Sequence, residues 1–212
     1  MSVAPALPTV IMVHGLWFGA RSLTLLARRL RKAGFVPRCF RYRSTRAPLA
    51  EQSRALRRFI GPAADAPLHF VAHSLGGLVT LSMLADADDL PPGRVVLLGS
   101  PVQGSTVARK AAALPGCGLL GAARPALEAG LARLEIRREI GMIAGSRSFG
   151  LGLLLGGSGG PGDGTVAISE TRFEGLREHR ILPVTHTGML FSREVAQEVA
   201  SFLRAGSFIP PP

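Results

Sequence analysis

Cysteine is scarce in this sequence of 212 residues. Cys39 and Cys117 are the only two, and neither belongs to a CxxC pair or to a spacing typical of zinc ligands. This scarcity argues against a disulfide framework and against a cysteine-based metal site. We therefore expect two buried free thiols, and no cofactor is implied.

Long hydrophobic runs are absent as well. No apolar stretch reaches the roughly 18 residues that a membrane-spanning helix requires. The segment from Met1 to Pro8 lacks the basic start and the apolar run of a signal peptide. From these absences we expect a cytoplasmic protein.

Lysine and aromatic residues are also few. Lys32 and Lys110 are the only lysines, so the net charge of +11 comes almost wholly from arginine. The arginines are scattered, without a run of five or more and with little aromatic interleaving. This pattern favours a solvated, arginine-rich surface over a nucleic-acid interface, and it leaves peripheral contact with anionic lipid open.

What the sequence does contain is a regular alternation of strand and helix patterns. Its length and its 47% of apolar residues predict a single globular domain over residues 1–212. Short apolar runs alternate with amphipathic segments, which predicts an α/β fold with a mostly parallel sheet of about six strands flanked by helices. The predicted strands are 9–13, 35–42, 68–72, 94–98, 139–144 and 179–184, and the predicted helices are 22–32, 49–60, 75–85 and 194–203.

Two segments interrupt this alternation. Residues 105–135 are rich in alanine, glycine and leucine, with Leu127, Leu131 and Leu134 at helical spacing, and we expect a small lid or cap there. Residues 149–164 are glycine-rich and cannot form a regular element throughout. Both follow the carboxyl ends of strands, the edge at which open α/β sheets bind ligands. Leu151 to Leu155 would contribute to the same apolar lid.

Two serines compete as a nucleophile. Ser158 has the literal G-x-S-x-G pattern, but Gly160-Pro161-Gly162 follows it, and no helix can begin cleanly there. Ser74 lies in Ala72-His73-Ser74-Leu75-Gly76-Gly77, between an apolar strand and an apolar helix. That context predicts a nucleophile elbow at Ser74, against the alternative of an ordinary serine N-cap.

A nucleophilic serine needs a base and an acid. Of the five histidines, His186 follows the last predicted strand at the carboxyl edge, whereas His73 is expected to point away from the serine. Asp163 stands between two glycines and precedes His186, in the chain order Ser, Asp, His of this fold. Glu170 and Glu174 are rival acids.

The oxyanion of such a reaction needs backbone N–H donors. The N–H of Leu75 opens the helix after Ser74, and the N–H of Leu16 lies in the loop after the first strand, where Gly15 allows a sharp turn. Trp17 and Phe18 come next and are either core residues or a wall of the substrate pocket. No metal site is expected.

These motifs together resemble the bacterial lipases of the α/β-hydrolase superfamily. Val13-His14-Gly15-Leu16 is similar to their oxyanion loop, and the alanine-first elbow at Ser74 is similar to that of the small Bacillus-type lipases. The stretch from Leu98 to Ser105 resembles their G-[ST]-P-x-x-G-[ST] segment, and Asp163-Gly164-Thr165-Val166 resembles their acid loop. We expect the chain to depart from the larger secreted lipases, with no opening strand pair, no leader and no calcium site.

The resemblance and the residues predict a serine hydrolase that cleaves carboxylic esters of short to medium acyl chains. The expected substrate is a small-molecule or lipid ester. Three alternatives stay open. The same triad could serve a thioesterase, acyltransferase, amidase or lipid deacylase; the fold could be a non-catalytic binding protein; or the basic surface could bind nucleic acid.

Overall fold

The computed structural model describes residues 7–61, 66–114, 118–131, 135–149 and 159–210. These ranges contain six β-strands, and each is followed by irregular or helical chain. The strands are β1 (Thr9–Val13), β2 (Val36–Phe40), β3 (Leu68–His73), β4 (Val95–Leu98), β5 (Ile140–Gly145) and β6 (Glu178–Leu182). The α-helices of the same ranges are α1 (Thr24–Lys32), α2 (Leu49–Ile60), α3 (Leu75–Ala85), α4 (Thr106–Ala112), α5 (Arg124–Ala129) and α6 (Arg193–Ala205).

The strands form one parallel sheet in the order β2-β1-β3-β4-β5-β6. Every residue of β3, β4 and β5 is buried, as expected for central strands that are covered on both faces. Because all six strands run in the same direction, their carboxyl ends meet at one edge. The predicted fold class, an α/β-hydrolase-type parallel sheet flanked by helices, is confirmed.

The sheet separates two hydrophobic cores. On one face, Ile11 and Phe70 pack in a cluster with the apolar residues of α2 and α3. On the other face, Val10 and Val71 pack with those of α1 and α6. The alternation of side chains along a strand sends neighbours to opposite faces, so one apolar run supplies both cores.

Helix α3 is the most deeply buried helix of the fold. Nine of its eleven residues are buried, among them Leu75, Leu78 and Leu81, because the sheet and α2 cover it. A helix that is apolar all round requires such an environment. It therefore gives Ser74, the residue directly before it, a rigid base.

The segment after β4 folds into short helices and not into one long one. Helix α4 and a 3₁₀-helix at Gly118–Ala123 precede α5, which ends at Ala129. Gly130 has φ +73°, and a Cβ there would lie 2.3 Å from both the N of Gly104 and the O of Val102. The sequence predicted one helix that contains Leu127, Leu131 and Leu134. Only Leu127 lies in α5; Leu131 lies beyond its end, and Leu134 lies outside the described residues.

The two cysteines, the glycine-rich segment and the lack of a membrane-spanning helix were also predicted from the sequence. Cys39 is a free thiol but is half-buried, not buried as predicted, and Cys117 lies outside the described residues. Ser158 and residues 151–155 also lie outside them. In the described ranges, no helix is both long and apolar enough to cross a membrane.

Candidate active site

Ser74 occupies a strained turn between β3 and α3. Its φ of 54° and ψ of −126° fall in a region that costs an L-residue on the order of 1–3 kcal/mol and that clusters at functional sites. A Cβ on Gly76 would lie 2.6 Å from the carbonyl oxygens of Val13 and His14, and one on Gly77 would lie 2.1 Å from Ser100 Oγ. The small residues after Ser74 are thus required by the close passage of β1 and of the chain after β4.

His186 and Asp163 form a buried hydrogen-bonded pair. The Nδ1 of His186 lies 2.7 Å from Oδ2 of Asp163, and the N–H of His186 donates to the carbonyl oxygen of Asp163 at 2.9 Å. The other carboxylate oxygen accepts from the N–H groups of Thr165 and Val166. With a carboxylate as acceptor, the proton of a neutral His186 is on Nδ1, and its Nε2 is free to act as a base.

Gly99, the residue after β4, allows this pair to approach the sheet. Its φ is +54°, and a Cβ at this position would lie 2.8 Å from Asp163 Oδ2 and 3.1 Å from His186 Nδ1. In the sequence, Gly99 stands out only as part of the lipase-like segment from Leu98 to Ser105. The structure gives the physical reason for glycine there: a side chain would occupy the space of the Asp163–His186 contact.

His73 lies against His186, a contact that the sequence pattern did not predict. Its Nε2 is 3.1 Å from the carbonyl oxygen of His186, so Nε2–H donates, and the two imidazole rings are 4.6 Å apart. Its Nδ1 is buried without a hydrogen-bond partner among the described residues. Burial, followed by the neighbouring His186, lowers the pKa of His73 well below its usual value, so the ring is neutral.

The loop after β1 carries the predicted oxyanion donor Leu16. Gly15 is needed for close approach, since a Cβ there would lie 2.9 Å from Ser74 Cβ. The left-handed residue of this turn is Trp17, with φ 60°. The N–H of Trp17 donates to Ser44 Oγ at 3.0 Å, which fixes the turn. Among the described hydrogen bonds, the N–H groups of Leu16 and Leu75 donate to no protein acceptor.

Contacts between His14 and Tyr42 stabilise this loop. Their rings stack at 4.4 Å, and the Tyr42 hydroxyl donates to the carbonyl oxygen of His14 at 2.8 Å. Burial lowers the pKa of His14 and raises that of Tyr42. Both groups are therefore neutral at pH 7.

Five of the seven predicted site residues line one cavity of about 220 Å³; Asp163 and Leu75 are not among its lining residues. Ser74 and His186 line it together with Leu16, Trp17 and Phe18. Its remaining wall is mainly apolar and includes Pro101, Val107, Ala108, Ala111, Leu120, Leu127, Phe149 and Val166. Trp17 is half-exposed, and its indole N–H donates to the carbonyl oxygen of Leu119 at 2.9 Å, which ties the oxyanion loop to the chain between α4 and α5.

The rival acids lie elsewhere. Glu174 is exposed. Glu170 is buried, but its carboxylate accepts from the N–H of Thr106 at 2.5 Å and from that of Ala167 at 3.0 Å. It therefore connects the acid loop to the start of α4 and does not contact His186. Among the described residues, no group of three or more His, Cys, Asp or Glu is arranged to hold a metal ion.

A parallel sheet with a strained serine between a central strand and a buried helix defines the α/β-hydrolase class. A family model described as the alpha/beta hydrolase family matches residues 10–155, which is more than half of the chain. The protein belongs to this family.

Solved structures agree with this fold. The mature lipase BlEst2 of Bacillus licheniformis superposes with a TM-score of 0.73 at 19% identity, covering 97% of this chain and 94% of that one. The metagenomic carboxyl esterase MGS0156 superposes with a TM-score of 0.68 at 18% identity, covering 88% of this chain and 66% of that one. The NocB thioesterase domain from the nocardicin cluster superposes with a TM-score of 0.57 at 18% identity, covering 94% of this chain and 93% of that one. No curated protein sequence matches the chain significantly.

Proposed function

We propose that this protein is a serine hydrolase that cleaves carboxylic esters through an acyl-enzyme intermediate. The observation that carries the proposal is the Asp163–His186 hydrogen bond of 2.7 Å in a cavity that Ser74 also lines. The strained backbone of Ser74 adds support, because such a conformation is retained where the surrounding structure requires it.

In the proposed mechanism, Ser74 Oγ attacks the ester carbonyl carbon and its proton passes to His186 Nε2. Asp163 keeps the imidazole in the required tautomer and stabilises the imidazolium. The tetrahedral oxyanion accepts hydrogen bonds from the N–H groups of Leu16 and Leu75, each worth about 3 kcal/mol in comparable sites. His186 then returns the proton to the leaving alcohol, and water releases the acid by the same steps.

The cavity supports an apolar acyl group of limited length. Aliphatic and aromatic side chains form most of its wall, including Trp17, Phe18, Val107 and Leu127, and about 220 Å³ is small compared with drug-sized sites. We propose that residues 105–135 act as a cap over this pocket. Short to medium acyl chains are therefore the proposed substrates, in small-molecule or lipid esters.

The decisive measurement is hydrolysis of p-nitrophenyl esters from acetate to palmitate. We expect turnover to be highest at short and medium chain lengths and to fall to background in Ser74→Ala. A fluorophosphonate probe should label the peptide that contains Ser74. Absence of both turnover and labelling would favour a non-catalytic hydrolase fold, and full activity of Ser74→Ala would overturn the assignment of the nucleophile.

A thioester is the second candidate substrate, because the NocB thioesterase domain has a similar fold. The same triad can attack either carbonyl, and the fold alone does not choose between them. Comparing kcat/KM for esters and acyl-CoA thioesters of equal chain length decides between the two. A large preference for the thioester would replace the ester proposal while leaving Ser74 as the nucleophile.

A further inference from the structure

A large basic groove runs between α1 and α6. It has a volume of about 950 Å³, and five cationic side chains line it. These are Arg28, Arg29 and Lys32 of α1 and Arg193 and Arg204 of α6, and we call the site they define the cationic groove. Among the described residues, no aspartate or glutamate lines the groove, so its charged lining residues all have the same sign.

The cationic groove is separate from the candidate active site. Helices α1 and α6 cover one face of the sheet, whereas the cavity at Ser74 lies at the carboxyl edge near α4 and α5. The two sets of lining residues have no member in common. Ester hydrolysis therefore gives no reason for the five charges.

Six arginines of the described residues form ion pairs with carboxylates, and none of them lines the cationic groove. Glu139 pairs with Arg94 and Arg177, and Glu198, on α6 itself, lies 3.8 Å from Arg180. In the part of the chain that the structure describes, none of the five groove cations forms an ion pair with a carboxylate. The other acidic residue of α6, Glu194, does not line the groove.

Two of the five charges are fixed in place by the protein. A guanidinium N–H of Arg29 donates to the carbonyl oxygen of Phe191 at 2.7 Å. Arg204 donates to the carbonyl oxygen of Ala33, and its guanidinium lies over the Phe35 ring at 5.5 Å. Groups held in this way lose little side-chain entropy when they meet an anionic partner.

Small side chains line the groove beside the cations. Ala196 and Ala200 are buried and form what we call the alanine floor. The other uncharged lining residues are Leu25, Ala33, Gln197, Ser201, Ala205 and Ile209. From Arg193 to Arg204 the cations of α6 span three helical turns, or about 17 Å. A small-residue floor between two helices, with basic rims, matches the apolar face and acidic flanks of a third helix.

We propose that the cationic groove binds an acidic amphipathic helix of a partner protein. A bilayer surface is flat and would not reach the alanine floor. Single-stranded nucleic acid usually stacks its bases on aromatic side chains, and no aromatic residue of the described ranges lines the groove. The proposal does not depend on the ester-hydrolase assignment.

The test uses a fluorescent peptide of about 18 residues, long enough to form a helix. Leucine and alanine occupy one helical face of this peptide, and glutamate occupies the other. Binding to the full chain is measured by fluorescence anisotropy at low and high salt, beside a scrambled peptide of equal composition. We expect the patterned peptide to bind more tightly than the scrambled one, and salt to weaken binding through screening.

Charge reversal locates the binding site. We expect Arg28→Glu with Lys32→Glu to weaken binding at least tenfold. The matched control is Arg54→Glu with Arg58→Glu on α2, an exposed pair with the same four-residue spacing and the same change in charge. The affinity of this control for the peptide should stay within about twofold of that of the unchanged protein. Ester turnover and thermal melting should show that both double variants are folded.

Three results would overturn the proposal. One is that the patterned peptide does not bind. Another is that both double variants lose the same amount of affinity for the peptide, which would mean that the peptide responds only to the net charge of the protein. The third is that phosphatidylglycerol vesicles or a single-stranded oligonucleotide bind more tightly than the patterned peptide does, and that Arg28→Glu with Lys32→Glu abolishes this binding whereas the control variant does not. That result would keep the site but replace the class of partner.

Discussion

At the scale of single residues, the space at Gly99 sets the position of the Asp163–His186 pair. Gly99→Ala should lower kcat by at least tenfold, because its Cβ would lie 2.8 Å from Asp163 Oδ2 and small displacements of a catalytic group are costly. Gly175→Ala is the control: it shares a positive φ, of +97°, but a Cβ there meets nothing within 4 Å. Steady-state ester hydrolysis separates them, and equal kcat in both variants would contradict the argument.

His73 offers a second prediction at this scale. It donates to the carbonyl oxygen of His186, so His73→Phe should remove the contact that orients the base. We expect kcat to fall about tenfold with KM nearly unchanged. His69→Phe is the matched control, since His69 is a buried histidine of the same strand that also bonds one backbone group, the N–H of Arg94. A similar fall in kcat for both variants would indicate general destabilisation.

Residue patterns predicted Ser74, His186 and Asp163 because each stands at a readable position: a strand-to-helix turn, a loop after the last strand, a glycine-flanked acid. The structure brings all three near one cavity, and their catalytic roles remain a prediction. Gly99 and His73 could not be assigned in the same way. Their roles depend on contacts between segments about 90 and 110 residues apart in the chain, and a single sequence contains no signal for such contacts.

At the scale of secondary-structure elements, Glu170 joins the acid loop to the proposed cap. Glu170→Gln turns one of two acceptor oxygens into an NH₂ group, which leaves either the part-buried N–H of Thr106 or the buried N–H of Ala167 without an acceptor. Such a loss costs about 1–3 kcal/mol. We expect a lower free energy of unfolding in urea and faster proteolysis within residues 105–135. Glu174→Gln, at an exposed position, should change stability by less than about 0.5 kcal/mol.

If Glu170→Gln unfolds at the same urea concentration as the unchanged protein, the connection does not stabilise the cap. If Glu170 were instead the catalytic acid, the variant would lose activity as completely as Asp163→Asn. The expected result is that Asp163→Asn loses about 10⁴-fold in kcat, while Glu170→Gln retains most of its activity. Comparing the two variants therefore also tests the choice between the acids.

The long elements followed directly from sequence periodicity. Helices α2 and α3 have the predicted bounds, 49–60 and 75–85, and α6 extends the predicted 194–203 by one residue at its start and two at its end. The observed ends of β2 and β6 differ from the predicted ones by one or two residues. The cap could not be predicted in detail, because its short helices stop where backbone segments collide, as Gly130 does against Val102 and Gly104. Isolated helices of six or seven residues have no stability of their own.

At the scale of the whole molecule, charge is distributed unevenly between the surface and the interior. The net charge of +11 comes mainly from arginines, most of which are exposed among the described residues, while four buried or half-buried histidines are kept neutral. Desolvation is the first cause in each case: it lowers the pKa of His69 and of His179 to about 4, and it lowers those of His14 and His73. Arg94 and Arg138 add to the effect at His69.

These lowered pKa values predict that the fold weakens in mild acid. In the unfolded chain a histidine takes up a proton near pH 6.5, whereas His69 and His179 in the folded chain do so only near pH 4. Stability is therefore complete above pH 6.5 and is lost as the pH falls towards 4. At pH 5, His69 alone should cost about 2 kcal/mol of unfolding free energy. Urea unfolding at pH 7.5 and pH 5 measures the loss, and His69→Asn should reduce the difference between the two values by about that amount. An unchanged difference in His69→Asn would mean that the acid sensitivity originates in other groups.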